Sequence, residues 1–277
     1  MKKRIWILFL VLGILLAQSG CFWNRKTVTV GGQKVVVDTS VPESTLDPAD
    51  FSRQEDGAIV YAGGKYLTGI DVSSHQGKIN WKKVSNHVDF AMIRAGYRGY
   101  TEGTLARDTA FVYNIRHALK YGLKVGVYFF SQALTPEEAA EEAQYLLRLI
   151  RKYDVTMNIA YDWEYIENVE PGSARTEQVT KETVTACAAA FCDTIAAAGY
   201  TPAIYCNGML GYLSYDLSKL PDVEVWYANY DSVSPDFAYQ IRMWQYTDSG
   251  TLQGVNGKVD YNLYFLEQEP EEKKTSA

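Results

Sequence analysis

The sequence predicts an α/β protein, a modified TIM-like β/α barrel whose first five strands are connected by helices and whose last three strands lack full helices. From residue 66 onward, short apolar segments alternate with segments of helical periodicity, which is typical of parallel βα units. After residue 207 the strand-like segments continue, but the gaps between them lack helical periodicity. Because closure removes the exposed edges of a sheet, we expect these strands to form a barrel.

The predicted strands are short, apolar and rich in β-branched and aromatic residues. They cover residues 67–72, 90–96, 124–131, 158–165, 202–207, 224–230, 241–247 and 259–265.

Two helices have recognisable ends in the sequence. Thr135 is followed by Pro136 and two glutamates, an order typical of a helix N-terminus, and this helix is expected to run to about Tyr153. An alanine-rich helix is predicted over residues 176–198, where Gly199 ends it.

The amino terminus has the composition of an export signal. Basic residues 2–4 precede an apolar run over 5–16, which is shorter than the roughly 20 residues that a spanning helix needs. The segment Ser-Gly-Cys at 19–21 resembles a bacterial lipobox, in which the cysteine, here Cys21, is lipidated. Gln18 departs from that pattern, because an aliphatic residue is usual there. We therefore expect either a lipoprotein anchored to the outer face of the cell membrane or a secreted protein, with an uncleaved anchor as the alternative.

The domain organisation follows from composition. Residues 1–20 are assigned to the signal, 22–65 to a polar stalk with turn-forming prolines, 66–267 to the barrel and 268–277 to a polar tail. Residues 27–37 alternate around two glycines, which predicts a small hairpin within the stalk or else a disordered tether.

Charge and cysteine usage exclude several classes of protein. Removal of the three basic residues of the signal leaves 24 basic against 33 acidic residues, a net charge of −9, which argues against nucleic acid as a partner. Cys187, Cys192 and Cys206 remain besides Cys21, so a disulfide framework is not indicated. The three histidines lack ligand spacing. We expect no metal, no cofactor and a monomer.

Two carboxylates two residues apart mark the predicted strand at 158–165. Asp162 and Glu164 share one face of that strand, and in an enclosed site such neighbours cannot both ionise easily. One carboxyl then stays protonated at neutral pH, as general acid catalysis by a glycosidase requires. The alternative is a solvated acidic strand end.

Two further acids lie near strand ends. In β/α barrels, catalytic groups come from the carboxyl ends of several strands. Asp71, near the end of the first strand, fits this rule; Asp260 lies near the start of the last strand and fits it less well.

Aromatic residues at comparable positions are candidates for contact with sugar rings, whose C–H faces suit flat apolar surfaces. The same residues are equally suited to fill a barrel core. The candidates are Tyr97, Tyr128, Tyr205, Trp226 and Trp244.

From about Leu67 to Phe265 the chain resembles the glycoside hydrolase family 25 lysozymes, which are N-acetylmuramidases. The resemblance rests on the order and spacing of several short motifs. They are Gly69-Ile70-Asp71-Val72-Ser73-Ser74-His75-Gln76-Gly77, Ala91-Met92-Ile93-Arg94-Ala95-Gly96, Gly126-Val127-Tyr128-Phe129, Asp162-Trp163-Glu164, Ile204-Tyr205-Cys206-Asn207, Trp226-Tyr227-Ala228-Asn229-Tyr230, Trp244-Gln245-Tyr246 and Val259-Asp260.

This resemblance implies the same modified barrel and hydrolysis of the β-1,4 bond between N-acetylmuramic acid and N-acetylglucosamine in peptidoglycan glycan strands. It places Asp71, Asp162, Glu164 and Asp260 at the four acidic positions of the family. We expect Glu164 to be the general acid and Asp162 to stay ionised, as a nucleophile, as a base or as an orienter of the substrate acetamido group. Asp71 and Asp260 are expected to raise the proton affinity of the site and to bind sugar.

Two other functions remain open at this point: a chitinase-like glycosidase with the same barrel, and a wall-binding lipoprotein without catalysis. Action on the cell's own wall and attack on other cells are both compatible with the sequence.

Overall fold

The computed structural model describes residues 26–230 and 232–266, so the predicted signal, Cys21 and the polar tail at 268–277 lie outside the described residues. The chain divides into two compact units, Met1–Thr39 and Ser40–Ala277. In the first unit, β1 (Thr27–Val30) and β2 (Gln33–Val36) form an antiparallel hairpin. The two residues between them, Gly31 and Gly32, both have positive φ, which glycine adopts without steric cost. The hairpin predicted at 27–37 is therefore present.

The second unit is organised around a closed barrel of eight strands within the described residues. The strands of this unit are, in chain order, β3 (Phe51–Arg53), β4 (Ile59–Tyr61), β5 (Tyr66–Val72), β6 (Phe90–Arg98), β7 (Leu105–Arg107), β8 (Lys124–Ser131), β9 (Ile159–Trp163), β10 (Pro202–Asn207), β11 (Glu224–Ala228), β12 (Met243–Gly250) and β13 (Val259–Phe265). The barrel order is β5-β6-β8-β9-β10-β11-β12-β13, and β13 pairs back to β5. Neighbouring barrel strands are parallel, except that β13 is antiparallel to both β12 and β5. The predicted barrel is confirmed, with its last strand reversed.

Helices connect the first five barrel strands, as predicted. They are α1 (Trp81–Val84), α2 (Phe111–Lys120), α3 (Pro136–Ile150) and α4 (Lys181–Ala197). In the described residues after β10, the connections contain only a short π-helix, Leu210–Ser214, and a single 3-10 turn, Leu217–Lys219.

The predicted helix ends are partly right. Thr135 caps α3, because its hydroxyl accepts a hydrogen bond from the Glu138 backbone N–H at 3.3 Å. The start predicted for α4 at residue 176 is wrong: the cap is Thr180, whose hydroxyl accepts from the Thr183 N–H at 3.3 Å. Residues 175–178, before this cap, form turns instead of helix.

Side chains from alternate positions of the strands fill the lumen of the barrel. This buried cluster contains Phe90, Met92, Tyr128, Met157, Ala160, Ala203, Tyr205, Trp226, Ala228 and Met243. The absence of a side chain at Gly126 leaves space for the Met92 side chain, because a Cβ at position 126 would lie 2.3 Å from the Met92 sulfur. The lumen is therefore a packed core.

The segment before the barrel covers the wall where helices are missing. Strands β3 and β4 form a hairpin, and the buried Phe51 ring on β3 lies 5.7 Å from the Trp244 ring and 6.0 Å from the Phe265 ring. Nearby, the backbone of residues 42–44 exchanges hydrogen bonds with residues 238–240. The stalk predicted through residue 65 is therefore wrong for residues 40–65, because their apolar side chains belong to the core of the second unit.

Candidate active site

A cavity of about 430 Å³ opens at the carboxyl ends of the parallel strands. All four predicted acids line it, together with aromatic and polar side chains. The lining residues are Asp71, Val72, Ser73, His75, Gln76, Arg94, Tyr128, Phe130, Asp162, Glu164, Tyr205, Trp226, Tyr230, Gln245 and Asp260.

The reversed direction of β13 explains the position of Asp260. An antiparallel last strand begins at the end of the barrel where the parallel strands finish, so a residue near its start reaches the same mouth. Asp260 is the register partner of Asp71 across the β13–β5 pair. The poor fit of Asp260 to the strand-end rule came from treating all eight strands as parallel.

Asp71 is held by two amide side chains. Its Oδ2 accepts hydrogen bonds from Gln245 Nε2 and Asn262 Nδ2, each at 2.8 Å. The Trp226 indole N–H, which can only donate, bonds the Asn262 carbonyl oxygen at 2.8 Å and so fixes the orientation of that amide. The Tyr205 hydroxyl donates to Gln245 Oε1 at 3.0 Å and so fixes the orientation of the Gln245 amide. These bonds set the position of Asp71 from two sides of the lumen.

Asp71 and Asp260 form the first acid pair. Burial raises the pKa of Asp71, and the hydrogen bonds from Asn262 and Gln245 oppose that rise. Burial, followed by the charge of Asp71, raises the pKa of Asp260 to about 9. At neutral pH Asp260 is therefore protonated and donates a hydrogen bond to Asp71.

Asp162 and Glu164 form the second pair, joined by a hydrogen bond between their carboxyls. Burial raises the pKa of both, and the charge of Glu164 raises that of Asp162 further, well above its usual range. Because two adjacent buried carboxyls cannot easily both carry charge, the pair favours sharing one proton. That Asp162 is the ionised member of the pair stays a prediction.

Arg94 is the one arginine or lysine among the described residues that line the cavity. Its Nε donates to Asp108 Oδ2 at 2.8 Å and its Nη2 to the Ser74 hydroxyl at 3.1 Å. The guanidinium opposes the rise in the pKa of Asp162. It therefore partly offsets the negative charge of the acids and anchors the turn after β5.

Three of the predicted aromatic residues form part of the cavity wall. The Trp226 ring lies 5.7 Å from the Tyr128 ring and 5.0 Å from the Tyr205 ring, both at steep angles. Each also belongs to the buried lumen cluster, so the top of the core is the floor of the cavity. Their contact with a ligand stays a prediction.

The other two aromatic residues lie elsewhere. Trp244 is fully buried and faces the β3–β4 hairpin, because Met243 and Gln245 on either side of it face the lumen. Its assignment as a cavity residue is wrong. Tyr97 does not line the cavity either; its exposed ring lies 5.7 Å from the Arg94 guanidinium carbon.

Several residues that line the cavity were not predicted as site residues from the sequence, notably His75, Gln76, Arg94, Tyr230 and Gln245. Gln245 had a usable signal, because an isolated polar residue between Trp244 and Tyr246 in an apolar strand points to a polar lumen position. Tyr230 also had a usable signal, because it has the same parity as Trp226 in the strand predicted at 224–230. In the structure it lies beyond β11, and its hydroxyl donates to Gln245 Oε1 at 2.6 Å.

Within residues 26–230 and 232–266, no group of three or more His, Cys, Asp or Glu side chains is arranged to hold a metal ion. Over the same residues, none of the helices has the length and hydropathy needed to cross a bilayer.

Comparison with known proteins bears on the identity of this barrel. The sequence pattern of Glycosyl hydrolases family 25 matches residues 70–255. An autolytic lysozyme of Clostridium acetobutylicum is 25% identical over 201 residues, which cover 72% of this chain and 56% of that protein. The uncharacterized protein YegX of Escherichia coli K12 is 28% identical over 206 residues, covering 72% of this chain and 69% of that protein.

Solved structures share the fold. The modular autolysin LytC from Streptococcus pneumoniae superposes with a TM-score of 0.62 at 26% identity, covering 87% of this chain and 52% of that chain, so this chain matches about half of that autolysin. A family 25 glycosyl hydrolase from Bacillus anthracis gives a TM-score of 0.60 at 23% identity, covering 73% of this chain and 90% of that chain. With the family pattern spanning most of the barrel, the chain belongs to glycosyl hydrolase family 25.

Proposed function

We propose that this protein is a peptidoglycan hydrolase that cleaves the β-1,4 bond between N-acetylmuramic acid and N-acetylglucosamine, with Glu164 as the general acid. The observation that carries the proposal is the arrangement of four acids in two hydrogen-bonded pairs around one cavity with an aromatic floor. The family membership and the LytC structure described in complex with a synthetic peptidoglycan ligand support the choice of substrate.

Glu164 is placed better than Asp162 to donate to a glycosidic oxygen. It lies one residue beyond β9 and is half-buried, whereas Asp162 lies within the strand and is buried. A substrate acetamido N–H that donates to Asp162 favours the ionised form of that carboxyl, because hydrogen bonding to a charged form stabilises it. The shared proton then belongs to Glu164, which is the state that protonates the leaving oxygen.

The bond to the leaving sugar breaks as this proton arrives. The acetamido oxygen of the N-acetylmuramic acid residue that contains the anomeric carbon attacks this carbon and closes a ring, and Asp162 holds the acetamido nitrogen while positive charge develops there. Water then adds to the anomeric carbon and gives its proton to Glu164. The bond between the acetamido oxygen and the anomeric carbon breaks in this step, which restores the starting state of the enzyme. Asp71, held by Gln245 and Asn262, keeps negative potential near the developing cation.

We further propose that the protein is exported and held at the outer face of the membrane through Cys21, with peptidoglycan as its partner and no nucleic acid, and that it acts as a monomer. Such an anchor restricts cleavage to wall close to the membrane. Release of the mature protein from cells by lipase treatment, and not by salt, tests the anchor.

Mass spectrometry of the fragments released from purified walls tests the reaction. Reducing muramic acid ends are expected; reducing glucosamine ends contradict the bond assignment, and cleavage of chitin oligomers in preference to wall supports a chitinase-like enzyme instead. The variant Glu164→Gln should lose lysis while keeping its fold. The matched control is Glu170→Gln, an exposed acid of the same loop that does not line the cavity. Normal lysis by Glu164→Gln contradicts the assignment of the acid.

A further inference from the structure

Glu164 lies just beyond the regular hydrogen bonding of the barrel. The last pair between β8 and β9 is Ser131 with Trp163, and the last pair between β9 and β10 is Asp162 with Tyr205. Neither ladder reaches position 164. The backbone that carries the proposed acid therefore needs another partner to hold it.

The buried side chain of Gln132 supplies that partner. Its Nε2 donates to the Glu164 backbone carbonyl at 3.0 Å and to the Ser131 carbonyl at 2.9 Å. Its Oε1 accepts from the Thr176 hydroxyl at 2.6 Å. Gln132 and Thr176 are 0% and 1% exposed, so water does not compete for these bonds.

The Thr176 hydroxyl also fixes the orientation of the amide. A rotated amide would place Oε1 against two backbone carbonyl oxygens, which repel it, and would leave no donor for Ser131 and Glu164. With Thr176 donating to Oε1, both N–H groups point at the two carbonyls. A hydroxyl at position 176 thus selects the amide orientation that holds Glu164.

Thr176 belongs to the chain between β9 and α4, which is tied to α3 next to it. Arg175 Nη2 bonds Glu138 Oε1 at 2.7 Å, and the Arg175 backbone N–H donates to the Tyr100 carbonyl at 2.8 Å. The hydroxyl is therefore presented to Gln132 from a segment that is itself fixed.

We propose that Gln132, oriented by Thr176, is a positioning residue that sets the geometry between Glu164 and Asp162. This inference rests on the proposed function, because it assigns Gln132 a role only if Glu164 is the acid. Neither Gln132 nor Thr176 lines the cavity, and neither is expected to touch substrate. Its effect is therefore expected on the rate of the chemical step and not on substrate binding.

The test compares Thr176→Val with Thr176→Ser in the full-length protein, with a soluble oligomer of alternating N-acetylglucosamine and N-acetylmuramic acid as the substrate. Valine keeps the shape of threonine and removes the hydroxyl, whereas serine keeps the hydroxyl. Because a misplacement of a catalytic group by about 1 Å costs on the order of 10²-fold, we expect kcat of Thr176→Val to fall by about that factor with KM little changed. Thr176→Ser should retain most of kcat.

The pH profile adds a readout that a general loss of stability would not move. When the two carboxyls are held less closely, the charge of Glu164 raises the pKa of Asp162 less, so the alkaline limb should move to lower pH in Thr176→Val. Gln132→Met, which keeps the side-chain length and removes all three hydrogen bonds, should show the same shift and provides a second measure if Thr176→Val fails to fold.

The outcomes separate the two proposals. If the wild type cleaves, Glu164→Gln does not, and both Thr176→Val and Gln132→Met keep a wild-type kcat and pH profile, the positioning role is overturned while the proposed function stands. Equal impairment of Thr176→Ser and Thr176→Val also overturns it, because the hydroxyl is then not what matters. Normal cleavage by Glu164→Gln overturns the proposed function itself.

Discussion

Replacement of Phe51 by alanine tests whether the segment before the barrel is part of its fold. The Phe51 ring is buried against three aromatic rings, with centroids 4.6 Å from Tyr61, 5.7 Å from Trp244 and 6.0 Å from Phe265. Tyr61 belongs to the same hairpin, whereas the other two rings belong to β12 and β13. The substitution therefore removes one of the side chains that join the hairpin to the barrel wall; Tyr61, with its ring 5.2 Å from that of Phe265, is another.

The expected loss of unfolding free energy is about 3–5 kcal/mol, the usual range for a buried phenylalanine. The loss of unfolding free energy cannot exceed the free energy with which the hairpin docks on the barrel. If the substitution cost more than this, the hairpin would detach and the barrel would stay folded. For a unit of this size, such a loss lowers the midpoint of thermal unfolding by roughly 6–20 °C.

Urea denaturation followed by tryptophan fluorescence measures this loss, because Trp244 lies directly under the hairpin and becomes exposed when it detaches. The matched control is Val60→Thr on β4, which keeps a β-branched residue at the exposed position next to Tyr61 and should stay within about 0.5 kcal/mol. An unfolding free energy for Phe51→Ala equal to that of Val60→Thr would refute the reasoning and return residues 40–65 to the role of a stalk.

Three predictions concern the cavity. Asp260 is protonated below about pH 9, and its ionisation beside Asp71 should lower activity as the pH rises through that value. The variant Asp260→Asn should lose this limb of the pH–activity profile. A limb near pH 9 that persists in the variant contradicts the assignment. Arg94→Gln removes the cation that opposes the rise in the pKa of Asp162, so the pH profile should move to higher pH; a shift to lower pH is the contrary result. Tyr165 is half-exposed and adjacent to the proposed acid. Tyr165→Ala should raise KM for polymeric wall severalfold and have little effect on KM for disaccharide-sized substrates. Equal effects on both substrates would contradict a role of Tyr165 in holding the polymer.

The sequence predicted the barrel and its incomplete helical layer because these follow from local periodicity. It also placed Asp71, Asp162 and Glu164 at the mouth, since each lies at the end of a strand whose direction is fixed by a crossover helix. The direction of β13 could not be predicted from the sequence. A strand joined to its predecessor by a short loop can pair antiparallel, and the antiparallel pairing of β13 with β12 and β5 brings Asp260 to the mouth.

The wrong predictions have two physical causes: the alternation of side chains between the two faces of a strand, and packing between residues that are far apart in the sequence. Trp244 was assigned to the cavity although a strand residue next to a lumen residue must face outward. The segment 40–65 was assigned to a stalk because polar residues dominate it, yet a few apolar side chains such as Phe51 are enough to dock a hairpin. Gln132 gave no sequence signal, because its role depends on a backbone carbonyl 32 residues further along the chain.

The reversed last strand also has a consequence for biosynthesis. Asp71 emerges from the ribosome early, but the two amides that hold it follow 174 and 191 residues later, and its acidic partner lies between those two positions. A nascent chain that has not yet released β13 has an open wall and lacks Asp260, one of the four acids. Whatever chemistry the cavity performs therefore waits until β13 has been made, and a single proteolytic cut that removes this strand is enough to end it.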